Sequence, residues 1–261
     1  MQRRFAAILG LLLAASTAGA VAAQQPAPPA GPSTATGQRA GGPPPLSNLQ
    51  IFPKETPREQ VIAAMQRFTQ ALGVQCNYCH VQEGRGGRND FASDEKQPKK
   101  TAREMMKLSA DIASRLPAIV GKPANETTRV GCATCHRGIP IPRLIGDIVA
   151  EAAVAAGPSA GLAKFKELRE KFYGGQSYDF SEGSLIVIAQ SANAAGKYDD
   201  AIAFLNANLE YYPKSARTYA TMAQIKAAKG DKLGAIQALE KAVELDPNNA
   251  QAKAQLQQLK G

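Results

Sequence analysis

The chain has 261 residues, a formal net charge of +9 at pH 7 and 44% hydrophobic residues, which is enough for one or two folded domains. The positive charge does not indicate nucleic-acid binding, because no run of basic residues is interleaved with aromatic residues. The most informative residues are the four cysteines and the two histidines.

Residues 1–23 have the pattern of a secretory signal peptide. Arg3 and Arg4 precede a short apolar run, and small residues at 18–23 offer cleavage sites. The apolar run is shorter than the roughly 20 residues of a membrane-spanning helix, so we expect cleavage, with no transmembrane segment in the mature chain. Residues 24–48 are rich in proline, glycine and alanine, and they are predicted to form a disordered linker. The mature protein is therefore expected in the periplasm or elsewhere outside the cytoplasm.

The first folded element is predicted to be a helix. Thr56 is suited to the N-cap, Pro57 to the first helical position, and Glu59 to a capping box. Apolar residues then recur at helical spacing until Gly73, which is expected to end the helix. This apolar stripe consists of Val61, Met65, Phe68 and Leu72.

Three further helices are predicted before residue 174. After a polar loop at 83–97, a helix runs from about Pro98 to Leu116 and is stopped by Pro117. Its inward face consists of Met105, Leu108, Ile112 and Leu116. Residues 138–158 are expected to be mostly irregular, with a short helix at 145–156. The next helix, at 159–173, is expected to turn Leu162, Phe165, Leu168 and Phe172 inward.

An internal repeat with a period of 34 residues follows. It relates Gly196 to Gly230, Ala201 to Ala235, and Pro213 to Pro247. The period and the small residues resemble the tetratricopeptide repeat, a helix–turn–helix unit. Two repeats over about 184–249 are predicted, with an end helix at 249–260. Two units are few for an array, so we expect them to pack on the helix at 159–173 or on the preceding domain.

All four cysteines lie in two Cys-x-x-Cys-His motifs. Cys76, Cys79 and His80 form the first motif, and Cys132, Cys135 and His136 form the second. On a helical turn the two cysteines lie on one side, where each can form a thioether with a haem vinyl group, and the histidine can bind the iron. The motifs therefore predict two covalently bound c-type haems, with His80 and His136 as iron ligands.

Other uses of these motifs fit less well. A thioredoxin-like redox pair would need strands alternating with helices, and the usual zinc-finger spacing is not present. Two disulfides are the common arrangement of four cysteines in an exported protein, but they would leave the adjacent histidines without a role.

The sixth iron ligand is approached by elimination. Both histidines belong to the motifs, so methionine is the next candidate. Met1 leaves with the signal peptide and Met222 lies in a repeat. We expect Met65 to bind the first haem iron and Met105, with Met106 as the alternative, to bind the second. The competing interpretation is that these methionines only fill an apolar core.

The segments LGVQCNYCH (72–80), Phe91, KKTAR (99–103) and VGCATCHRG (130–138) resemble the cytochrome c subunit of photosynthetic reaction centres. The resemblance covers roughly residues 49–143. It implies an all-α cytochrome domain and a methionine ligand on the helix ahead of a haem motif, a pattern that Met65 matches. The family's full subunit holds four haems, so this chain resembles its second half joined to repeats.

The predicted fold is all-α, with a dihaem cytochrome c domain at 49–157 and a helical repeat domain at 158–261. The leading hypothesis is an electron carrier, not an enzyme, whose partners are redox proteins, including membrane-bound ones. The repeats would either dock a partner or only stabilise the domain. A dihaem peroxidase and a self-assembling structural cytochrome are the alternatives. Lysines 96, 99, 100 and 107 are expected to form a solvated helix face or to steer an acidic partner.

Overall fold

The computed structural model describes residues 46–84 and 87–261. The predicted signal peptide and all of the predicted linker except its last three residues lie outside the described residues. The described part is all-α as predicted, apart from a short antiparallel ladder in which Val81 pairs with Asp90 and Gln82 with Asn89. None of the described helices is both long and apolar enough to cross a membrane.

The elements before residue 144 alternate long helices with single turns. They are α1 (Arg58–Leu72), α2 (Cys76–Cys79), β1 (Val81–Gln82), β2 (Asn89–Asp90), α3 (Gln97–Val120), a 3₁₀ turn (Ala124–Glu126) and α4 (Cys132–Cys135). The following elements are all helices of 11 to 15 residues. They are α5 (Ile145–Ala156), α6 (Pro158–Phe172), α7 (Gly183–Ala194), α8 (Tyr198–Tyr211), α9 (Ala216–Ala228), α10 (Lys232–Leu245) and α11 (Ala250–Lys260).

The start of α1 differs from the prediction. Pro57 occupies the cap position with an extended backbone (ψ 138°), and no side chain caps the helix. Thr56 therefore lies one residue too early for its hydroxyl to reach the first-turn amides, and the predicted capping box with Glu59 is wrong. The predicted end is confirmed, because Gly73 adopts the left-handed conformation with φ 65°.

The end of α3 also differs, because the helix passes through Pro117 and continues to Val120. A proline removes one helical hydrogen bond, but its own carbonyl still accepts bonds from the turn that follows. The Pro117 carbonyl accepts the N–H of Gly121 at the helix end and the N–H of Lys122 at 3.1 Å. Left-handed Gly121 (φ 65°) then ends the helix.

The repeats form as predicted, as the helical pairs α7–α8 and α9–α10. Gly196 and Gly230 turn the chain with positive φ angles of 73° and 90°. Ala201 and Ala235 are fully buried, which allows the paired helices to approach closely. Asn249 caps the end helix α11 by accepting the N–H of Ala252.

The helices before the repeats share the same core, so the repeats do pack on the helix predicted at 159–173. α6 packs on α8, α5 packs on α6 and α7, and Ile145 and Val149 of α5 lie in one buried cluster with Phe165 and Leu205. Gly161 has no room for a side chain, because a Cβ there would lie 2.9 Å from the Ala153 Cβ. The domain limits stay a prediction, and the packing favours grouping α5 with the helices that follow it.

Candidate haem-attachment sites

The first cysteine motif folds as a single helical turn. The His80 N–H donates to the Cys76 carbonyl at 3.0 Å, and the Tyr78 N–H donates to the Gln75 carbonyl at 3.0 Å. This turn places Cys76 and Cys79 on one side, three residues apart. His80 then leaves the turn with an extended backbone and lies edge-on to the Phe91 ring, with centroids 4.9 Å apart.

The second motif has the same turn with a different continuation. The His136 N–H donates to the Cys132 carbonyl at 2.9 Å, and the Gly131 N–H donates to the Thr134 hydroxyl at 3.0 Å. His136 Nδ1 lies 3.1 Å from the Ile139 carbonyl oxygen. Because a carbonyl only accepts, Nδ1 is the donor in this contact, and Nε2 is the ring nitrogen left for a metal ion.

The His80 ring is half-buried, and its Nδ1 is buried without a hydrogen-bond partner. Burial, followed by the charges of Lys99 and Arg103, lowers the pKa of His80 from its ordinary value. The imidazole is therefore neutral at pH 7, and neutral imidazole is the form that binds metal ions.

The four cysteines are free, so no disulfide joins them. Burial raises the pKa of Cys79, against the opposing charge of Lys96, and burial also raises the pKa of Cys132. A reactive dithiol of the thioredoxin type needs a lowered cysteine pKa, so these two thiols lack that property. Within residues 46–84 and 87–261, no three histidine, cysteine or acidic side chains converge as a metal-binding group.

Each motif packs against one of the two longer helices. α2 packs against α3, and α4 packs against α1. The Gly138 N–H, two residues after His136, donates to the Ala71 carbonyl at 2.7 Å. A Cβ at Gly73 would lie only 2.1 Å from the Gly138 carbonyl oxygen, so the backbones touch where glycine is required. The end of α1 thus fixes the position of the second motif.

The apolar face predicted for α3 is exposed. Met105, Leu108 and Ile112 keep 40%, 50% and 43% of their surface accessible, which is unusual for three residues of one helical stripe. In the described residues before 144, the buried apolar side chains are few: Val61, Ala64, Ala71 and Ile139. This part of the chain therefore presents apolar surface beside the motifs in place of a large side-chain core.

The structure places the methionines differently from one another. Met222 is buried in the core that the repeats share with α5 and α6. Met65 and Met106 are half-buried and Met105 is exposed, so none of these three is enclosed in a side-chain core. Met65 lies on α1, which packs against the second motif, while Met105 and Met106 lie on α3, which packs against the first.

Sequence reasoning missed the role of the lysines. Lys99 is 8% exposed, so the idea of a uniformly solvated face is wrong for this residue. Its ammonium bonds backbone carbonyls of 91–93, and the Lys96 ammonium bonds the Asn77 carbonyl in the first motif. Carbonyl acceptors leave no trace in a sequence. The available signals were Asp94, an acidic residue shortly before the helix, and the KKTAR segment (99–103) that carries part of the family resemblance.

The family model described as the photosynthetic reaction centre cytochrome C subunit matches residues 19–232. The chain belongs to this family. A tetratricopeptide-repeat model matches residues 216–249, within the second predicted repeat. Membership of the reaction-centre cytochrome family implies covalently bound haem, which agrees with the two attachment motifs.

This chain spans only a small part of the length of two curated relatives that it matches. The cytochrome c-554 of Chloroflexus aurantiacus is 40% identical over 82 residues, 31% of this chain and 18% of that protein. The photosynthetic reaction center cytochrome c subunit of Rubrivivax gelatinosus is 28% identical over 88 residues, 31% of this chain and 23% of that protein. The matched region is thus less than a quarter of either relative.

Among solved structures, the first TPR of Spaghetti (RPAP3) bound to an HSP90 peptide is similar with a TM-score of 0.32 and 13% identity. The match covers 44% of this chain and 87% of that chain.

The residues present in this family member fit haem. Each motif offers two free thiols on one turn and a histidine beside them. His136 has the arrangement typical of a metal ligand, because its Nδ1 faces the Ile139 carbonyl and its Nε2 is left for the iron. The buried Nδ1 of His80 has no such partner, so the fit of His80 rests on the burial that favours its neutral ring. The exposed apolar face of α3 matches the apolar faces of a porphyrin.

Proposed function

We propose that this chain is an exported dihaem c-type cytochrome that transfers electrons between redox proteins. The observation that carries the proposal is the pair of Cys-x-x-Cys-His turns in a member of the reaction-centre cytochrome family. Cys76 and Cys79 would attach the first haem and Cys132 and Cys135 the second, with His80 and His136 as proximal ligands.

The residues in and beside the two motifs have defined tasks in this proposal. The thiols would form thioethers with the vinyl groups, which fixes each porphyrin against its own turn. The Ile139 carbonyl would hold the His136 ring so that Nε2 is aimed at the iron. A c-type haem supplies an iron that takes one electron from a donor protein and passes it to an acceptor protein.

We propose Met65 as the sixth ligand of the first haem and Met105, with Met106 as the alternative, for the second. Exposure or half-burial of all three supports this assignment over the competing role as core filler. Two methionine ligands would keep both irons six-coordinate, which suits electron transfer better than substrate chemistry. The helix that carries Met105 and Met106, α3, packs against the first motif. The alternative to test is therefore that Met105 or Met106 binds the first haem iron and Met65 binds the second.

The repeats are proposed as a module for contact with another protein, through docking or assembly. The repeat helices share one buried core with α5 and α6, so their exposed outer surface can vary without loss of the fold. The signal-peptide pattern at 1–23 supports a periplasmic or other extracytoplasmic location. Redox proteins, including membrane-bound ones, are the expected partners.

The test is production in a host competent in cytochrome maturation, followed by pyridine haemochrome analysis and mass measurement. We expect two haems per chain and two reversible one-electron steps in a redox titration. Variants with alanine at Cys76 and Cys79, or at Cys132 and Cys135, should each retain one haem. Colourless protein, or sulfurs linked to each other, would refute the proposal, and peroxidase turnover by high-spin protein would favour the enzymatic alternative.

A further inference from the structure

The loop that follows β2 is wrapped around one buried ammonium group. Lys99, in the first turn of α3, is 8% exposed. Its Nζ donates to the carbonyls of Phe91 at 2.9 Å, Ala92 at 3.1 Å and Ser93 at 2.7 Å. A buried charge is costly unless it is bonded, and here backbone oxygens bond it from one short segment. Lys99 therefore holds residues 91–93 against α3.

A carboxylate completes this cage. Asp94 lies 3.0 Å from Lys99 Nζ and 2.9 Å from Arg103, one helical turn further along α3. Gln50 donates to the other oxygen of Asp94 at 3.0 Å. Asn48 donates to the Ala92 carbonyl at 2.6 Å, which ties the start of the described chain to the same loop. The result is two cations and one anion in fixed positions.

The cage is connected to the first haem motif at two points. Phe91 packs edge-on against the His80 ring, with an interplanar angle of 70°. Lys96 donates to the Asn77 carbonyl, inside the Cys76–Cys79 turn. The second motif is held in another way, because His136 is fixed by the carbonyl of Ile139. The charges of the cage thus belong to the surroundings of His80.

We propose that Lys99 and Asp94 are positioning residues that set the reduction potential of the first haem. A fixed positive charge favours the ferrous state over the ferric state and raises the potential, and a fixed negative charge does the opposite. The cage also keeps Phe91 against His80, so the ring orientation and the charges are set by one structure. This inference rests on the proposed function, in which His80 is an iron ligand.

The test is a potentiometric titration of the purified dihaem protein and four point variants. Lys99→Met should lower the potential of the first haem and Asp94→Asn should raise it. Each should shift the ferrous-to-ferric ratio about tenfold at fixed ambient potential, which equals about 59 mV for a one-electron couple. Lys100→Met is the matched control, because Lys100 is the adjacent, exposed lysine, and it should shift the ratio far less.

The second haem is the internal reference and should not move in any variant. Single-haem variants with alanine at Cys132 and Cys135 assign the step that belongs to the first motif. Shifts of the same sign in Lys99→Met and Asp94→Asn, or equal shifts of both haems, would overturn the inference. Lys99→Arg should restore most of the parent potential, and this rescue separates charge from loop disruption.

Haem content, measured first, separates the two proposals. A parent protein with fewer than two haems contradicts the proposed function itself. A parent with two haems whose potentials do not respond with opposite signs contradicts only the role of the cage. If Lys99→Met does not fold, the near-isosteric Asp94→Asn decides alone, because an unchanged or lowered first-haem potential there overturns the inference.

Discussion

Gly73 must satisfy two requirements at once, a left-handed backbone and a close contact that leaves no room for a side chain. It ends α1 in the left-handed conformation, and a Cβ would strike the Gly138 carbonyl at 2.1 Å. Gly73→Ala should therefore combine backbone strain with overpacking, and we expect a loss of about 3 kcal/mol in the free energy of unfolding. Guanidinium titration of the holoprotein measures this change.

The matched control for that substitution is Gly121→Ala. Gly121 ends α3 with the same φ of 65°, but nothing lies within 4 Å of its would-be Cβ. Only the strain remains, so the expected loss is about 1 kcal/mol. Equal losses for the two variants would mean that the contact between Gly73 and Gly138 contributes nothing.

Asp94 should make stability depend on pH. Hydrogen bonds from Arg103, Asn48 and Lys99 hold the pKa of Asp94 well below its ordinary range. A lowered folded-state pKa stabilises the protein above the unfolded-state pKa, near 4, and this stabilisation is lost as the pH falls below that value. At pH 7 the parent should therefore have a larger free energy of unfolding than Asp94→Asn. The difference between the two free energies should become smaller below about pH 4.

Asp111→Asn is the control for this pH series. Asp111 is an exposed residue of the same protein, with Arg115 at 3.5 Å, and such surface pairs contribute little to stability. Its unfolding free energy should stay close to that of the parent at every pH. A gap for Asp94→Asn that persists unchanged down to pH 2 would contradict the assignment.

At the residue scale, the sequence predicted the residues that bind the cofactor but not the contacts that hold those residues in place. The motif spacing predicted the two turns, because a helical turn follows directly from residue spacing. Lys99 was counted with the surface lysines, since its partners are backbone carbonyls that any residue could supply. The contact between Gly73 and Gly138 joins positions far apart in the chain, and no local pattern records such a contact.

At the scale of elements, the helices were predicted well where periodicity was strong. The helix predicted at 159–173 is found at Pro158–Phe172, and the one at 145–156 is found as Ile145–Ala156. Two boundaries failed, the start of α1 at Pro57 and the end of α3 at Pro117. At Pro117 the proline costs one hydrogen bond, but its carbonyl still accepts bonds from the last turn and Gly121 caps the helix after Val120. Exposure of the α3 stripe was not foreseen, since periodicity shows a face but not what covers it.

The pairing of helices with haem motifs gives a prediction for the methionines. In a variant with alanine at Cys132 and Cys135, only the first of the two proposed haems should remain. There, Met65→Leu should convert the iron from low-spin to high-spin, because it removes the proposed sixth ligand. Electron paramagnetic resonance and the visible spectrum report the spin state.

Met105→Leu and Met106→Leu serve as the controls in the same single-haem background. Both should leave the first haem low-spin, since they are proposed for the second. A high-spin first haem in either of them, with Met65→Leu unaffected, would show that the ligands are exchanged between the motifs. Packing of α3 on α2 makes that outcome structurally accessible.

At the scale of the whole molecule, the apolar core is distributed unevenly. The buried cluster extends from Ile145 to Ala252 and is built from α5–α11. Before residue 144 the described part buries only four apolar residues, two of them alanines. The sequence predicted a boundary between a haem part and a repeat part, but burial depends on tertiary contacts that the pattern does not contain.

This distribution predicts how the protein behaves without haem. A chain with alanine at Cys76, Cys79, Cys132 and Cys135 cannot attach the cofactor. Residues 46–143 should then lose protection from hydrogen exchange, because little buried apolar surface is left to hold them. Residues 145–260 should keep theirs, since their core is made of side chains alone. Hydrogen exchange of the parent and the variant, measured by mass spectrometry, reports the protection of both segments.

The converse substitution tests whether the two parts are energetically separate. Leu205 is fully buried in the repeat core, so Leu205→Ala in the dihaem protein should cost about 2–5 kcal/mol there. The haem spectrum should not change, because no motif residue belongs to that cluster.

One contact argues for some coupling between the repeats and the second motif. The Ser177 hydroxyl donates to the carbonyl of Arg137, the residue directly after His136, at 2.8 Å. A shifted haem spectrum in Leu205→Ala, abolished by Ser177→Ala, would show that this bond transmits the state of the repeats to the second haem.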